Sequence, residues 1–129
     1  MTDSRIQRIP SSMPYPFSTA VRVGDVWELS GQIGWDSQSN ALVPGGVGPE
    51  TRQALANIRQ VLDELGSSMD DVIKVSVFLK TMDDFEVMNE EYGAAFAEGS
   101  YPARSAVAVA GLALGASVEI ECSALAAKS

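Results

Sequence analysis

Histidine is absent from the 129 residues, and cysteine occurs once, as Cys122. The first absence removes the side chain that titrates near neutral pH and serves most often as general base. With a single thiol as well, the donor set for a zinc or copper site is missing. One cysteine cannot close an intramolecular disulfide, which fits a reducing compartment and predicts a cytoplasmic location. Basic residues are also few: nine Lys and Arg stand against 17 Asp and Glu, a formal net charge of −8. A nucleic-acid surface, which depends on a basic patch, is therefore not expected. No apolar run reaches the roughly 18 residues of a membrane span. The N-terminus shows no basic region followed by an apolar core, so no signal peptide is expected. Neither a Gly-rich phosphate loop nor a dinucleotide fingerprint is present. Chemistry in this chain is left to carboxylates, arginine, backbone groups and water.

What is present describes a globular chain, 46% hydrophobic and 20% charged, of a length that suits one domain over 1–129. Residues 1–16, with Pro10, Pro14 and Pro16, read as an irregular lead-in. Two extended runs, 18–23 and 26–30, flank Gly24-Asp25 and predict a hairpin whose Gly24 supplies the positive φ of a type II′ turn. The second run ends at Ser30-Gly31-Gln32-Ile33-Gly34, where the glycines mark either a plain bulge or a bend facing a ligand. Residues 36–48 read as a surface loop with a short strand at 41–43. A helix is expected from Pro49, with Ala54, Leu55, Ile58, Val61, Leu62 and Leu65 in one apolar stripe and Gly66 as its cap. It is read as a packing helix without chemistry. A strand over 72–79 follows, its Val75, Val77 and Leu79 on one face. Thr81, Asp83 and Asp84 then announce a second helix. Its stripe of Phe85, Met88, Tyr92, Ala95 and Phe96 reads as core. Asn89 is either a surface amide or a polar contact near a pocket.

The stretch Tyr101-Pro102-Ala103-Arg104-Ser105-Ala106-Val107-Ala108-Val109 carries the odd residue. From Ser105 onward it is small and β-branched, suiting a strand covered on both sides. A guanidinium at its mouth is either a rim ion pair or a clamp for a small carboxylate, which its planar fork can grip with two bonds. Further on, strict alternation puts Val118, Ile120 and Cys122 on one strand face and Glu119 with Glu121 on the other. Those two acids are either solvated or turned toward an arginine or a substrate across a groove. The whole order predicts an α+β sandwich, two helices against one face of a mixed sheet. Ala106, Ala108 and Val118 or its neighbours are assigned to the opposite face, which predicts oligomerisation through the sheet.

Three segments together resemble the Rid/YjgF family of reactive-intermediate deaminases: Ser30-Gly31-Gln32-Ile33, the run 101–107 and Val118-Glu119-Ile120-Glu121. The segments 51–57 and 72–78 are similar to the family pattern too, and the likeness extends from about Phe17 to Ala126. The resemblance implies a chorismate-mutase-like fold, a homotrimer with a central barrel, and clefts between neighbouring chains. It implies hydrolysis of imines and enamines such as 2-aminoacrylate to 2-keto acids and ammonia, without metal or organic cofactor. Arg104 would hold the substrate carboxylate and Glu119 the attacking water. The backbone at Gly31 and Ala106 would position water and substrate, with Ser30 and Asn89 as further contacts. Phe17 stands where many members carry a tyrosine, and Ala106 where a better-known subgroup carries cysteine. Trp35 is less usual as well; these departures leave the carboxylate site intact and the substrate range open, with a larger or more apolar acid as one reading. A non-catalytic carboxylate-binding protein on the same scaffold is the alternative function; a ribonuclease is disfavoured by the acidic charge.

Overall fold

A computed structural model of the chain describes residues 5–128. Its sheet has six strands in the order β1-β2-β3-β8-β6-β7. They are β1 (Ile6–Pro10), β2 (Ser18–Val23), β3 (Val26–Ile33), β6 (Val72–Leu79), β7 (Ala103–Ala108) and β8 (Val118–Leu125). All neighbours are antiparallel except β6 and β7, which run parallel, so the sheet is mixed. A small ribbon of β4 (Trp35–Asp36) and β5 (Ala41–Leu42) sits apart from it. Helices α1 (Val47–Glu64) and α2 (Phe85–Ala94) complete the chain.

Both helices pack on one face of the sheet. The core between the layers joins Ala54, Leu55, Ile58 and Leu62 of α1 and Met88 and Tyr92 of α2 to Val75, Val77 and Leu79 of β6 and to Val118, Ile120 and Cys122 of β8. Period-four apolar spacing on the helix meets period-two spacing on the strands, which is the condition for a two-layer sandwich. The end of α1 is closed by Ser67 N–H donating to Leu62 O at 2.8 Å and Gly66 N–H to Asp63 O at 3.2 Å, a Schellman arrangement. At the hairpin, Gly24 takes φ 62° and Asp25 stays at negative φ, as a type II′ turn requires.

Four readings are corrected. The lead-in is not irregular throughout, because Ile6–Pro10 pairs with β2 as the sheet's edge strand. Pro10 ends that edge strand at a register shift, where a missing N–H is tolerated. The first helix begins at Val47, two residues before Pro49. Strand β7 is an edge strand covered on one side, with Ser105 and Val107 exposed. Finally, Val118 is fully buried beneath the helices and Ala106 packs against the same core, so neither belongs to the open face. That face carries Glu28, Glu119, Glu121 and Ser123 instead, since alternation turns them away from the buried set. Among the described residues, no helix is long and apolar enough to cross a membrane.

Candidate active site

The open face of β8 presents Glu119, half-buried between the fully buried Val118 and Ile120. Its register partner across the ladder is Ile33 of β3, just past the bulge at Ser30-Gly31. The bulge decides what Gly31 must be. A Cβ built there would lie 2.8 Å from Cδ and 2.9 Å from Cγ of Glu119, closer than real contacts allow. Glycine lets the backbone and the carboxylate share that space. Burial, and secondarily the neighbouring Glu121 charge, raise the Glu119 pKa above its ordinary value. A carboxylate of this kind holds a proton more tightly than a free one and is a better base when ionised.

A pocket of about 600 Å³ opens beside it, lined by Phe17, Ser30, Gly31, Trp35, Asn57 and Leu114 among others. Ser30 Oγ donates to Ser18 O at 2.5 Å and so ties β3 to the start of β2. Asn57 Nδ2 donates to Trp35 O at 2.9 Å and clips the β3–β4 corner to α1. At the far end of the same helix face, buried Glu50 accepts the Ser117 N–H at 2.8 Å and fixes the entry into β8. The helix read as packing alone therefore builds one wall of the pocket.

Arg104 lies elsewhere. From β7 its guanidinium reaches onto α2, 4.7 Å from the Tyr92 ring centroid and 5.8 Å from that of Phe85. Its Nη1 is 3.9 Å from Met88 Sδ. Among the described residues no carboxylate pairs with it; Glu91 of the same helix is paired with Arg52 at 2.7 Å instead. The rim ion pair is thus absent among these residues; aromatic faces hold the plane of the fork, and the one acceptor given to its N–H edge is the weak Met88 thioether. Asn89, one residue after Met88, carries a buried Oδ1 with no hydrogen-bond partner among the described residues, and the same holds for the buried Tyr92 hydroxyl. Burial pushes the Tyr92 phenol up to about 12, against a smaller lowering by Arg104. Cys122 is also buried, its thiol pushed up to about 12 chiefly by desolvation, so it remains protonated packing.

The expected site residues consequently fall into two groups within one chain. Phe17, Ser30, Gly31 and Glu119 line one pocket; Arg104, Ala106 and Asn89 do not line it. Arg104 sits on the helix side of the sheet and Glu119 on the open side, with β6 between their strands. Two strand spacings amount to about 10 Å, before the thickness of the sheet is added. The helical stripe of Phe85, Met88 and Tyr92 reads as core in the sequence, and the structure adds that its rings are the bed of Arg104. Sequence reading missed Tyr15, Trp35, Asn57 and Leu114 as pocket walls. The helical spacing of the bed was visible, but its partner lay on a distant strand.

An α+β sandwich with a carboxylate cupped by a glycine bulge and an unpaired arginine on a strand edge defines a small-molecule-processing class. The chain belongs to the Rid/YjgF family: the family model described as Endoribonuclease L-PSP matches residues 7–126. A mouse protein named 2-iminobutanoate/2-iminopropanoate deaminase is 46% identical over 110 residues, covering 85% of this chain and 81% of that one. A protein of the same name from Dermatophagoides farinae is 42% identical over 106 residues, 82% of each chain. Among solved structures, RidA from a Psychrobacter species superposes with a TM-score of 0.83 at 37% identity, covering 95% of this chain and 99% of that one.

Proposed function

We propose that this protein hydrolyses 2-imino and enamine acids, such as 2-aminoacrylate, to 2-keto acids and ammonia. We further propose that it does so in sites shared between chains of a homotrimer. The observation that carries the reading is the Arg104 guanidinium, laid on aromatic faces with no acid among the described residues to neutralise it. An unpaired, half-buried guanidinium calls for an anion, and a planar carboxylate fits its fork. The names of the deaminase relatives support the same chemistry.

In this reading Arg104 grips the substrate carboxylate and leaves the imine carbon facing Glu119 of a neighbouring copy. The enamine tautomer first takes a proton at its terminal carbon and becomes the iminium. Glu119 orients a water against the iminium carbon and accepts a proton from that water as the C–O bond forms. The resulting carbinolamine nitrogen takes that proton back from Glu119, the C–N bond breaks, and ammonia leaves as the hydroxyl releases its proton to solvent and the carbonyl forms, which returns the proton taken up by the enamine. Water is the sole co-reactant. Separation of the two groups within one chain supports a shared site, and exposed Val107, Tyr101 and Ile73 support covering of this region by another copy. A ribonuclease reading gains nothing from the pocket, whose charged lining residues are Glu64 and Glu119.

The test generates 2-aminoacrylate and 2-iminobutyrate in situ and follows keto-acid formation against spontaneous hydrolysis. Acceleration by the wild type that is lost in Arg104→Ala, with the oligomer intact, is expected. Binding of 2-ketobutyrate without any acceleration would instead favour a carboxylate-binding protein on this scaffold.

A further inference from the structure

We infer that Glu50 is a positioning residue for Glu119: from the first turn of α1 it fixes where β8 begins and where β3 ends. The inference rests on the deaminase reading for the role of Glu119 and adds a residue that acts through it. Glu50 is 5% exposed, and an acid so buried is retained where it has a partner. Its partner is backbone, since its Oε1 accepts the Ser117 N–H at 2.8 Å. Ser117 is buried as well, and its carbonyl accepts the Lys80 N–H at 3.1 Å. The residue that leads into β8 is thereby held from two sides, by α1 through Glu50 and by the end of β6 through Lys80. Pairing of Val118 with Leu79 and of Glu119 with Phe78 carries the anchor two residues on, to the carboxylate.

The same residue seats β3. Gly34, at the corner where β3 ends, approaches it so closely that a Cβ built there would lie 2.6 Å from Glu50 Cα and 2.7 Å from its Cβ. Contact at the main chain leaves no slack, because neither side can rotate away. The corner is tied down further: Gly34 O accepts the Val43 N–H at 2.9 Å, and Asn57 Nδ2, two helical turns along α1, donates to Ile33 O at 3.3 Å. Ile33 is the register partner of Glu119. Glu50 therefore touches the approach to both strands between which Glu119 stands. Removing its acceptor leaves the Ser117 N–H buried and unpaired, and the start of β8 must shift to satisfy it. Arg104 stands apart from this joint, on β7 and against α2. The chemical step should suffer while the grip on the substrate carboxylate is kept.

Three variants and two readouts test this. Glu50→Leu fills a similar space without an acceptor and should lower kcat for 2-iminobutyrate by about ten-fold or more, the scale of a misplaced catalytic group. Its KM, and the dissociation constant for 2-ketobutyrate by calorimetry, should change by less than about two-fold. Counting kcat per binding site in the same calorimetry removes any loss of folded protein, the effect a merely structural role would have. Glu50→Gln keeps an acceptor oxygen and should restore kcat to within about three-fold of wild type. Glu50→Asp keeps the acid but shortens its reach by one methylene; it should lose kcat as Leu does, and it serves where Leu does not fold. Amide hydrogen exchange reads the joint without turnover: the amides of 117–119 should exchange faster in Leu and Asp and regain protection in Gln. A per-site kcat unchanged in Leu and Asp, an equal fall in Gln and Leu, or a rise in KM as large as the fall in kcat overturns the inference. Exchange that depends on Glu50 in a protein that turns over no imine removes the deaminase reading and keeps the joint. Turnover with rate and exchange both indifferent to position 50 removes the joint alone.

Discussion

Arg104 is held by surfaces that carry no charge. Tyr92 is 5% exposed, and its ring face lies under the guanidinium while its hydroxyl finds no partner. The ring therefore matters and the hydroxyl does not. Tyr92→Leu should raise KM and the dissociation constant for a 2-keto acid by about ten-fold, the scale of a partly desolvated cation–π contact. Its kcat should change less. Tyr92→Phe keeps the face and sheds a buried unpaired group, so it should bind as wild type does. Equal KM values for Leu and Phe at that position would remove the positioning role. Glu119 allows a test by pH. Its folded-state pKa is raised by burial first and by Glu121 second, so the folded state holds the proton more tightly than the unfolded one. Stability from this group is full below the ordinary carboxylate range and is lost as pH rises through the raised value. Glu119→Gln escapes that loss. It should melt above wild type at pH 7, converge with it near pH 4, and fail to turn over imines. Melting measured at both pH values decides the matter: a variant that gains nothing at pH 7 would show that the site does not penalise the ionised acid.

Each element sets what a residue within it can do, and β3 shows this best. Its bulge brings the backbone of Gly31 against the Glu119 side chain, so Gly31→Ala forces a Cβ to within 2.8 Å of the carboxyl carbon. The overpacking should cost about 1–3 kcal/mol, read as a shift in denaturation midpoint. The rate should fall further than stability, because the carboxylate itself must move. The bulge was legible as an alternative in the glycine spacing, and the structure shows a bulge whose backbone lies against the Glu119 side chain. The helices, β6, β8 and the hairpin were legible because their apolar periods continue over many residues. Strand β1 was not, because Pro10 masked a run whose pairing partner, 18–23, lies beyond a proline-rich turn. Alternation with Glu119 puts Val118 on the buried face, where it is found, and only its assignment with Ala106 to the opposite face runs against that pattern. The face occupied by Ala106 depended on β7 pairing parallel to β6 at Val77, a register that no local pattern encodes. Arg104 and Glu119 could be named from a resemblance, whereas their separation in one chain is a property of strand order alone.

At the scale of the whole molecule, strand order turns that separation into a prediction about assembly. Arg104 and Glu119 stand on opposite faces of one sheet with β6 between their strands. If both act on one substrate, they come from different copies. Light scattering should accordingly report a trimer, and a clean monomer would leave the proposed site without its arginine. A stricter test mixes two inactive proteins, Arg104→Ala and Glu119→Ala, after unfolding and refolding them together. In a cyclic trimer each site takes Glu119 from one chain and Arg104 from the next. A mixed trimer then contains one site formed from the intact halves of two different variants. Random assembly at equal amounts makes about three quarters of the trimers mixed, each with one working site of three, so activity should return to about a quarter of wild type. Were each site built within a single chain, every site in the mixture would carry one of the two lesions, and no activity would return at any mixing ratio.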